Sequence, residues 1–551
     1  MKRTIKYTFS SLLVVFSTIT LAVAQGNDDV VMRAITDELD RSMSELQYKD
    51  YQKPFYIRYG INESSITSIQ ANLGTLVGSS VTPFRNKYVR VMVGDYEFND
   101  ESIDSDIQQT PAAPDTWQVP LGDDYYGIRR ALWLSTDQVY KSASRIFDSH
   151  LKYVKAEGKP ISELPHRRFA KVPVVNYESP ALNLDIDQKY LEDYAKDVSS
   201  KFLEYSDLLG TMVNIQNYAT NQYFVNSEGS KIKSNTNLTM MRISAARLSP
   251  EGSPIFKQLT YIHEKPTDLP AASKVKAEIG ELIKEMTISM LAPAFDDSYE
   301  GPVLFLDEAV PMLFNNKILN KFVSSDIDTK NDGYGIKKNM DPFDEKIGEK
   351  VSSPLLSISL LPTLKQYEGT ALLGSYEYDN QGVAAPEELV LLEEGILKNV
   401  RTDRTLAKDS HKPTGTSTGP GVVSIKVKNE LDHDALKASL IELAKEEDLE
   451  YGLIVKKFEL GRMQMCNVYK VSVEDGSEKL MSSARLSDFD FKSLKKIAGA
   501  SPDKKVYNFT GTGPGSATSY IVHTALLIED VEIEKNFQTM TLDLPLVESP
   551  F

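Results

Sequence analysis

The histidines of the chain do not have the spacing of a metal site. His263-Glu264 is its one His-Glu pair, but Pro266 interrupts the helix that such a site needs, and no histidine follows within six residues. The other five histidines are scattered and are predicted to be core or surface residues: His150, His166, His411, His433 and His523. His523 lies in the last predicted strand region, so we also consider it for a cleft.

Two glycine-rich segments, 415–421 and 511–515, could in principle hold a phosphate through their backbone amides. Neither ends in the Lys-Ser or Lys-Thr pair of a phosphate-binding loop, and a proline in each removes an amide donor. Turns that shape a cleft are the better interpretation. The amides around Ser417, Thr418 and Gly419 are candidates for pairing with an extended peptide.

The segment 299–320 has the pattern of an apolar strand, a small turn and a helix. Metallopeptidases present a His-Glu pair and a second His to zinc from a helix in this position. Here the predicted helix carries Asn315, Asn316 and Asn320 at those places. Since zinc sites use His, Cys and carboxylate ligands, the segment resembles a metallopeptidase core that lacks its ligands.

Length, composition and charge limit the classes of function. The 551 residues are enough for about three to four domains, and the hydrophobic content of 41% is enough for real cores. The formal charge of −16 argues against nucleic acid or an anionic membrane surface as the main partner, because either requires a basic face. Cys466 is the single cysteine, which excludes an intrachain disulfide, and we interpret it as a buried structural thiol.

The N-terminus has the features of an export signal. Basic residues precede an apolar run over 12–21, and Ala22-Val23-Ala24 is a small-residue cleavage site. We predict a signal peptide over 1–24, cleaved near Ala24, and a periplasmic or secreted mature protein. The apolar run is too short to span a membrane comfortably, and no later segment reaches about eighteen apolar residues.

The periodicity of apolar residues predicts an α+β fold. Helical stripes with a spacing of three or four residues cover five segments: 28–46, 128–153, 187–205, 273–291 and 434–447. Strand-like alternation covers several others: 56–77, 88–93, 211–262, 374–379 and 388–395. Asn226-Ser227-Glu228-Gly229 interrupts two of these runs as a hairpin turn would.

We therefore predict N-terminal helix-plus-sheet domains followed by a β-rich antiparallel C-terminal domain. The predicted boundaries give an N-terminal α+β domain over 25–160, a middle α+β domain over 161–292 and the C-terminal domain over 293–551. Within the first domain, residues 95–124 are rich in carboxylates and prolines and poor in aliphatic residues. This composition predicts a solvated acidic loop or linker.

An ordered set of C-terminal segments carries a family resemblance. After the strand Gly301-Pro302-Val303-Leu304-Phe305 come, in order, Leu373-Gly374-Ser375 with Asp379-Asn380-Gln381-Gly382-Val383, then Leu391-Leu392-Glu393-Glu394-Gly395-Ile396-Leu397, then Ser417-Thr418-Gly419. In this order the segments resemble the TldD/PmbA family of zinc-peptidase subunits, also called TldD/TldE. The resemblance covers nearly the whole mature chain and is weak before residue 200.

The resemblance implies a two-part enzyme. A TldD-like subunit bears a His-Glu-x-x-x-His helix and a distant Cys as zinc ligands, and a TldE/PmbA-like subunit of the same fold lacks them. The pair degrades or matures peptides in a cavity that the dimer encloses. In this chain the helix positions match Asn315, Asn316 and Asn320, and the Cys position matches Thr510. The resemblance therefore implies no zinc in this chain and zinc in a TldD-like partner.

We predict an exported, TldE-like, non-catalytic subunit of a heteromeric zinc peptidase with a peptide substrate. Two alternatives stay open at this point. The chain is a self-sufficient metallopeptidase whose zinc site is divergent and involves His523, His411 or Glu308. In the other alternative it is an exported protein that binds peptides or glycans without catalysis.

Overall fold

The computed structural model describes residues 29–103, 119–249, 252, 254–315, 318–324, 343–406, 408, 410–459, 465–487, 489–511, 513, 515–535 and 547. The predicted signal peptide, Asn316 and residues 104–118 of the acidic segment lie outside these residues. Within the described ranges, no helix has the length and apolar character that crossing a membrane requires.

The residues that the structure describes form six α-helices. They are α1 (Val30–Glu45), α2 (Tyr125–Glu157), α3 (Gln188–Ser199), α4 (Ala272–Leu291), α5 (Ala309–Phe314) and α6 (His433–Glu446). In four of them an aspartate side chain accepts a hydrogen bond from a backbone N–H of the first turn: Asp29, Asp124, Asp187 and Asp432. The five helices predicted from periodicity are all present, and α5 is the sixth.

The N-terminal half contains one six-stranded sheet. Its strands are β1 (Pro54–Asn72), β2 (Thr75–Val93), β4 (Asn176–Glu178), β5 (Gly210–Asn226), β6 (Lys231–Leu248) and β7 (Pro254–His263), whereas β3 (Arg168–Phe169) lies outside it. The order is β2-β1-β5-β6, and β4 and β7 both pair with β6. The predicted turn at 226–229 closes the β5–β6 hairpin, with Gly229 at φ 105°.

This sheet spans the predicted boundary at residue 160. β1 pairs with β5 along most of its length, from Arg58 opposite Asn226 to Ala71 opposite Val213. The regions 25–160 and 161–292 therefore contribute strands to one continuous sheet. Hydrogen bonds between distant strands leave no mark in local composition, so the sequence alone did not reveal this pairing.

One face of the sheet is covered by helices. α1 and α2 pack on Ile57, Tyr59 and Ile61 of β1, and α3 and α4 pack on Ile69 of the same strand and on its neighbours. These residues are all odd-numbered because successive side chains of a strand point to opposite faces. The even-numbered residues of β1 therefore point away from the helices, towards the side of the C-terminal half.

The C-terminal half contains two further six-stranded sheets and short strand pairs. The strands are β8 (Ser298–Leu306), β9 (Leu356–Leu360), β10 (Gln366–Tyr367), β11 (Thr370–Ala371), β12 (Leu389–Glu393), β13 (Ile396–Leu397), β14 (Thr405–Leu406), β15 (Val422–Val427), β16 (Tyr451–Phe458), β17 (Met465–Ser472), β18 (Glu478–Leu486), β19 (Ile497–Ala500), β20 (Lys504–Thr510), β21 (Ala517–His523) and β22 (Ala525–Lys535).

One C-terminal sheet has the order β13-β12-β9-β15-β21-β20, and the other has the order β18-β17-β16-β8-β22-β19. β18 also pairs with β22, which closes a ring of five strands. Most pairings are antiparallel, and β15–β21 and β16–β8 are parallel. The prediction of an α+β fold with a β-rich C-terminal domain is confirmed.

One local prediction is wrong, and another is wrong for the start of its segment. Residues 374–379 form turns with only an isolated bridge from Tyr378 to Ala384, because Gly374 lies against the backbone of another loop, where a Cβ would come within 2.2 Å of the Gly421 oxygen. The start of the acidic segment is a packed turn rather than a solvated loop. In that turn Phe98 is buried, and buried Asp100 accepts a 2.7 Å hydrogen bond from the Val93 amide.

Candidate functional site

The junction of β8 and α5 is the place where a strand-to-helix zinc motif would lie. Asp307 follows the strand with φ 46°, its amide donates to the Thr524 oxygen at 2.7 Å, and the helix starts two residues later. Pro311 falls in the first turn of α5, where the missing N–H would be unpaired in any case. The helix ends at Phe314, with Asn315 as its extended C-cap.

The three predicted asparagines do not share a helix, so this prediction is wrong. Asn315 lies at the helix end, Asn320 lies in a separate 3-10 turn over Leu319–Phe322, and Asn316 is outside the described residues. The physical reason is that Pro311 requires the helix to begin just before it, and asparagine is a poor residue for continuing a helix. Pro311 was therefore the signal in the sequence that located this helix.

If a His-Glu-x-x-x-His motif started at the end of β8 and continued into α5, its six places would fall on Asp307-Glu308-Ala309-Val310-Pro311-Met312. In this register the motif glutamate is present as Glu308. The two histidine places hold Asp307 and Met312, and the Met312 side chain packs against the main C-terminal core. The sequence analysis missed these residues because it placed the helix several residues too late.

Both carboxylates of the junction are paired with lysines from distant parts of the chain. Asp307 Oδ1 lies 3.2 Å from Lys505 Nζ, and Glu308 Oε2 lies 3.3 Å from Lys457 Nζ. All four side chains are between 43% and 60% exposed. Burial, reinforced by the charges of Asp307 and Glu308, raises the pKa of the adjacent Tyr507 phenol, which therefore stays protonated.

The donor set at the junction does not fit a zinc ion. Thr510, the predicted counterpart of the Cys ligand, ends β20 with an exposed side chain, while Lys505 and Tyr507 of that strand are the residues beside the carboxylates. A thioether and a hydroxyl are not zinc ligands, and a lysine ammonium beside Asp307 opposes the charge of a metal ion. Across the described parts of the chain, no three His, Cys, Asp or Glu side chains are grouped to hold a metal.

Asn315 has a structural role in this neighbourhood. Its Oδ1 accepts a 3.0 Å hydrogen bond from the hydroxyl of Tyr520 on β21, and the Tyr520 ring packs edge-on against Phe509 of β20. This contact holds the end of α5 against the β20–β21 hairpin. The asparagine predicted to replace a ligand thus fixes the position of the helix.

His523 lies in the interior rather than in a cleft. It is 1% exposed, its Nε2 accepts a 2.9 Å hydrogen bond from the Val427 amide, and its Nδ1 is paired with the Ser501 carbonyl. Burial lowers its pKa, so the ring is neutral. Both nitrogens are used by the backbone, which leaves no position for a metal or a substrate.

The other histidines considered for a site also have structural surroundings. His411 Nε2 lies 3.9 Å from buried Asp344, to which Lys408 is paired at 2.9 Å. His263 ends β7, and burial lowers its pKa. Cys466 is fully buried on β17, where burial raises the thiol pKa to about 12.

The loop of Ser417, Thr418 and Gly419 is bound to a second C-terminal loop. The Ser417 hydroxyl and Asn380 Oδ1 are 2.7 Å apart, Asn380 N donates to Thr418 Oγ1 at 2.8 Å, and the Tyr376 hydroxyl donates to the Gly419 oxygen at 2.9 Å. Part of the polar capacity predicted for a peptide is therefore used inside the protein.

A polar network connects these loops to the N-terminal sheet. Arg58 on β1 donates to the Asn380 oxygen at 2.8 Å, and Arg90 on β2 binds both Glu101 and Gln381. Gln381 donates to Asp403 at 3.1 Å, and burial raises the pKa of the Asp403 carboxyl to about 7. Sequence inspection gave no signal for this network, because its members are far apart in the chain.

A buried arginine completes this contact between the two halves. Arg404 is completely buried and binds Glu228 at 2.7 Å and the Ala170 oxygen at 2.7 Å. Its guanidinium also lies 4.1 Å from the ring centre of Phe169. The short strand pair β3–β14 brings these residues together.

Comparisons with known proteins find similar proteins for the C-terminal part of the sequence and for the fold. Residues 307–535 match the PmbA/TldA metallopeptidase C-terminal domain, so the match begins at Asp307. A comparison with curated proteins finds no match.

Solved structures of similar fold cover nearly the whole chain. TldE from Thermococcus kodakarensis has 14% identity and a TM-score of 0.57, covering 91% of this chain and 100% of its own. A candidate modulator of a DNA gyrase from Thermotoga maritima MSB8 has 17% identity and a TM-score of 0.55, covering 87% of this chain and 96% of its own. A candidate modulator of DNA gyrase from Bacteroides thetaiotaomicron VPI-5482 has 13% identity and a TM-score of 0.56, with coverage of 91% and 98%. At these identities the likeness shows a shared fold.

Proposed function

Because this chain belongs to the TldD/PmbA family, we propose that it is a non-catalytic, TldE-like subunit that pairs with a zinc-bearing, TldD-like subunit. The observation that carries the proposal is the junction of β8 and α5. Its carboxylates are neutralised by Lys505 and Lys457, where a metal ion and its ligands would have to lie. Because lysines already balance the charges of the two carboxylates, the junction does not require a metal ion for charge balance.

The partner would supply the chemistry. A hydrolytic zinc site needs three protein ligands, an open water position and a carboxylate base, and a TldD-like subunit carries the ligands. This chain would contribute binding surface and bring the peptide into reach of that site. The negative charge of the chain favours a peptide or protein partner over DNA.

We also propose that the mature protein acts outside the cytoplasm after cleavage near Ala24. Removal of residues 1–24 takes away Lys2, Arg3 and Lys6 and no acidic residue, which changes the formal charge from −16 to −19. N-terminal sequencing of the protein recovered from its native host tests this proposal. A mature N-terminus at Gln25 in the exported fraction is expected, and an intact Met1 in the cytoplasm would contradict it.

Affinity capture of the tagged mature chain from its native periplasm tests the pairing. We expect a family member with an intact His-Glu-x-x-x-His motif in near-equal amount, and about one zinc per complex by elemental analysis. The chain purified alone should contain less than about a tenth of an equivalent of zinc. Stoichiometric zinc in the isolated chain, or capture of no zinc-bearing relative, would overturn the proposal.

A further inference from the structure

The face of the N-terminal sheet that points away from the helices carries no charge over most of its area. This uncharged face consists of the even-numbered residues of β1 over 62–70, of β2 over 78–88 and of β5 over 214–222. The strand register places them in shared rows, because Asn62 lies opposite both Asn86 and Gln222. Side chains directly opposite in antiparallel strands point to the same face.

The absence of charge is unusual for this protein. One residue in four of the chain is charged, and the formal net charge is −16. A solvated sheet face of such a chain would ordinarily share that composition, since charged side chains have no cost in water. An uncharged surface of amides and hydroxyls, interrupted by Ile66, Phe84 and aromatic Tyr88 and Tyr218, matches a ligand that is itself uncharged.

Side-chain amides are prominent polar groups of this face. Among the described residues, Asn62, Gln70, Asn86 and Asn214 have no side-chain hydrogen bond to another group. Each amide offers a donor and an acceptor, as the peptide group does. An amide side chain can therefore bind the C=O and the N–H of an extended peptide backbone without reading its side chains.

Loops of the C-terminal half border the uncharged face on one side. A Cβ on Gly515 would come within 2.9 Å of the Tyr218 Cβ, and one on Gly382 within 2.7 Å of the Phe224 ring. On the other side β2 is an edge strand, and Ser80 and Thr82 on it are exposed. The face is thus bordered by these loops along β5 and is open along β2.

We propose that the uncharged face binds an extended peptide segment that lacks charged side chains. The rows from 62 to 70 span about 27 Å, at about 3.4 Å per residue, which corresponds to about eight residues of extended peptide. A charged side chain over these rows would lose hydration without gaining a partner, except beside the exposed Arg242 of β6, which lies opposite Asn214 at one end of the face. The inference rests on the proposed function only in that a peptide is chosen over another neutral polymer.

Fluorescence anisotropy with three labelled octapeptides tests charge selection. One contains only Ser, Thr, Asn, Gln and Gly, and the other two carry Lys or Glu at alternate positions. The isolated mature chain should bind the neutral peptide at least about tenfold more tightly than either charged one. Equal affinity for the three, or no binding of the neutral peptide, would overturn the inference.

Variants locate the binding on the uncharged face. Asn62→Leu combined with Asn86→Leu removes two neighbouring amides at similar volume, and we expect about tenfold weaker binding of the neutral peptide. The matched control is Asn183→Leu, an exposed asparagine outside the face, which should leave the affinity unchanged. Equal affinity in the double variant and the control would place the peptide elsewhere and overturn the inference.

A charge exchange gives a readout that a merely unstable variant cannot imitate. Ser68→Glu should weaken the binding of the neutral peptide and strengthen the binding of the Lys-bearing peptide, so that the order of their affinities reverses. Binding of a neutral cello-oligosaccharide in place of the peptide, lost in the same variants, would assign the face to a glycan and overturn the inference.

The outcomes separate the two proposals. A chain that binds the neutral peptide but captures no zinc-bearing relative keeps the inference and loses the proposed function. A chain that captures the relative but does not bind the neutral peptide keeps the proposed function and loses the inference.

Discussion

Carboxylates form ion pairs with cationic side chains in two different environments of this molecule. At the junction of β8 and α5, the pairs Asp307–Lys505 and Glu308–Lys457 are about half exposed. At the contact between the two halves, Arg404 and Glu228 are 0% and 12% exposed. Exposed ion pairs contribute roughly 0–1 kcal/mol, whereas breaking a buried pair costs about 3–5 kcal/mol. Residues at the junction can therefore change without loss of the fold, and residues at the contact cannot.

The difference determines how freely residues of the two regions can be exchanged. Residues of a region that carries little of the folding free energy can be exchanged, because no packed neighbour has to change with them. The buried contact between the two halves differs, because each of its polar groups is paired with another polar group that water cannot reach.

Arg404→Met should have the largest effect. The change keeps an extended apolar side chain but leaves Glu228 buried without its cation, so we expect a loss of about 3–5 kcal/mol in the free energy of unfolding. Chemical denaturation at neutral pH measures it. Arg485→Met is the matched control, because Arg485 pairs with Glu534 at 38% exposure and should lose less than about 1 kcal/mol. Similar losses in the two variants would mean that burial does not determine how much an ion pair contributes to the stability of this protein.

Asp403 should make the buried contact sensitive to pH. Burial raises its pKa from 3.8 to about 7, so between these values the unfolded chain releases a proton that the folded chain retains. Stability from this group therefore falls as pH rises from about 4 to about 7, by up to about 1.4 kcal/mol per pH unit. The stability of the wild type relative to Asp403→Asn should decline across this window and be flat above it. Parallel pH curves would show that Asp403 ionises normally.

The junction should tolerate the removal of its cations. Lys505→Met and Lys457→Met each break one exposed pair, and we expect each to change the free energy of unfolding by less than about 0.5 kcal/mol. Thermal unfolding in low and high salt provides the measurement, since screening weakens only such exposed pairs. A loss above about 2 kcal/mol in either variant would show that the junction holds the fold as the buried contact does.

Restoring ligands distinguishes the two motif registers. Asp307→His, Met312→His and Tyr507→Cys place ligands beside Glu308, in the register that starts at the end of β8, and we expect weak zinc uptake that strengthens when Lys505→Met is added. The matched set Asn315→His, Asn316→Glu, Asn320→His and Thr510→Cys should take up no zinc, because Asn315 and Asn320 do not lie on one helix. Zinc uptake by the second set and not by the first would restore the register predicted from the sequence.

Periodicity in the sequence was sufficient for most of the fold. Five helices were predicted because their apolar residues recur at the helical spacing: α1, α2, α3, α4 and α6. That spacing is a property of the local sequence alone. The site was predicted less well. The helix was placed over residues 315–320 and not over Ala309–Phe314, because the amide-rich stretch was taken as a helix and Pro311 was not used as a start signal.

Several aspects of this protein were determined by the sequence itself. The resemblance to the TldD/PmbA family, the missing His-Glu-x-x-x-His pattern and the hairpin turn at Gly229 are all properties of short segments. A segment of this kind needs no distant partner to be recognised, because its conformation or its chemistry depends on neighbouring residues alone.

Other aspects were decided only by the tertiary structure. Lys505 lies nearly two hundred residues from Asp307 in sequence, and their pairing exists because β20 runs beside the end of β8. The uncharged face likewise exists only once β1, β2 and β5 are in register, since a shift by one residue would exchange the two faces of a strand. Which distant groups become neighbours depends on strand register and packing, and no local pattern of residues encodes those.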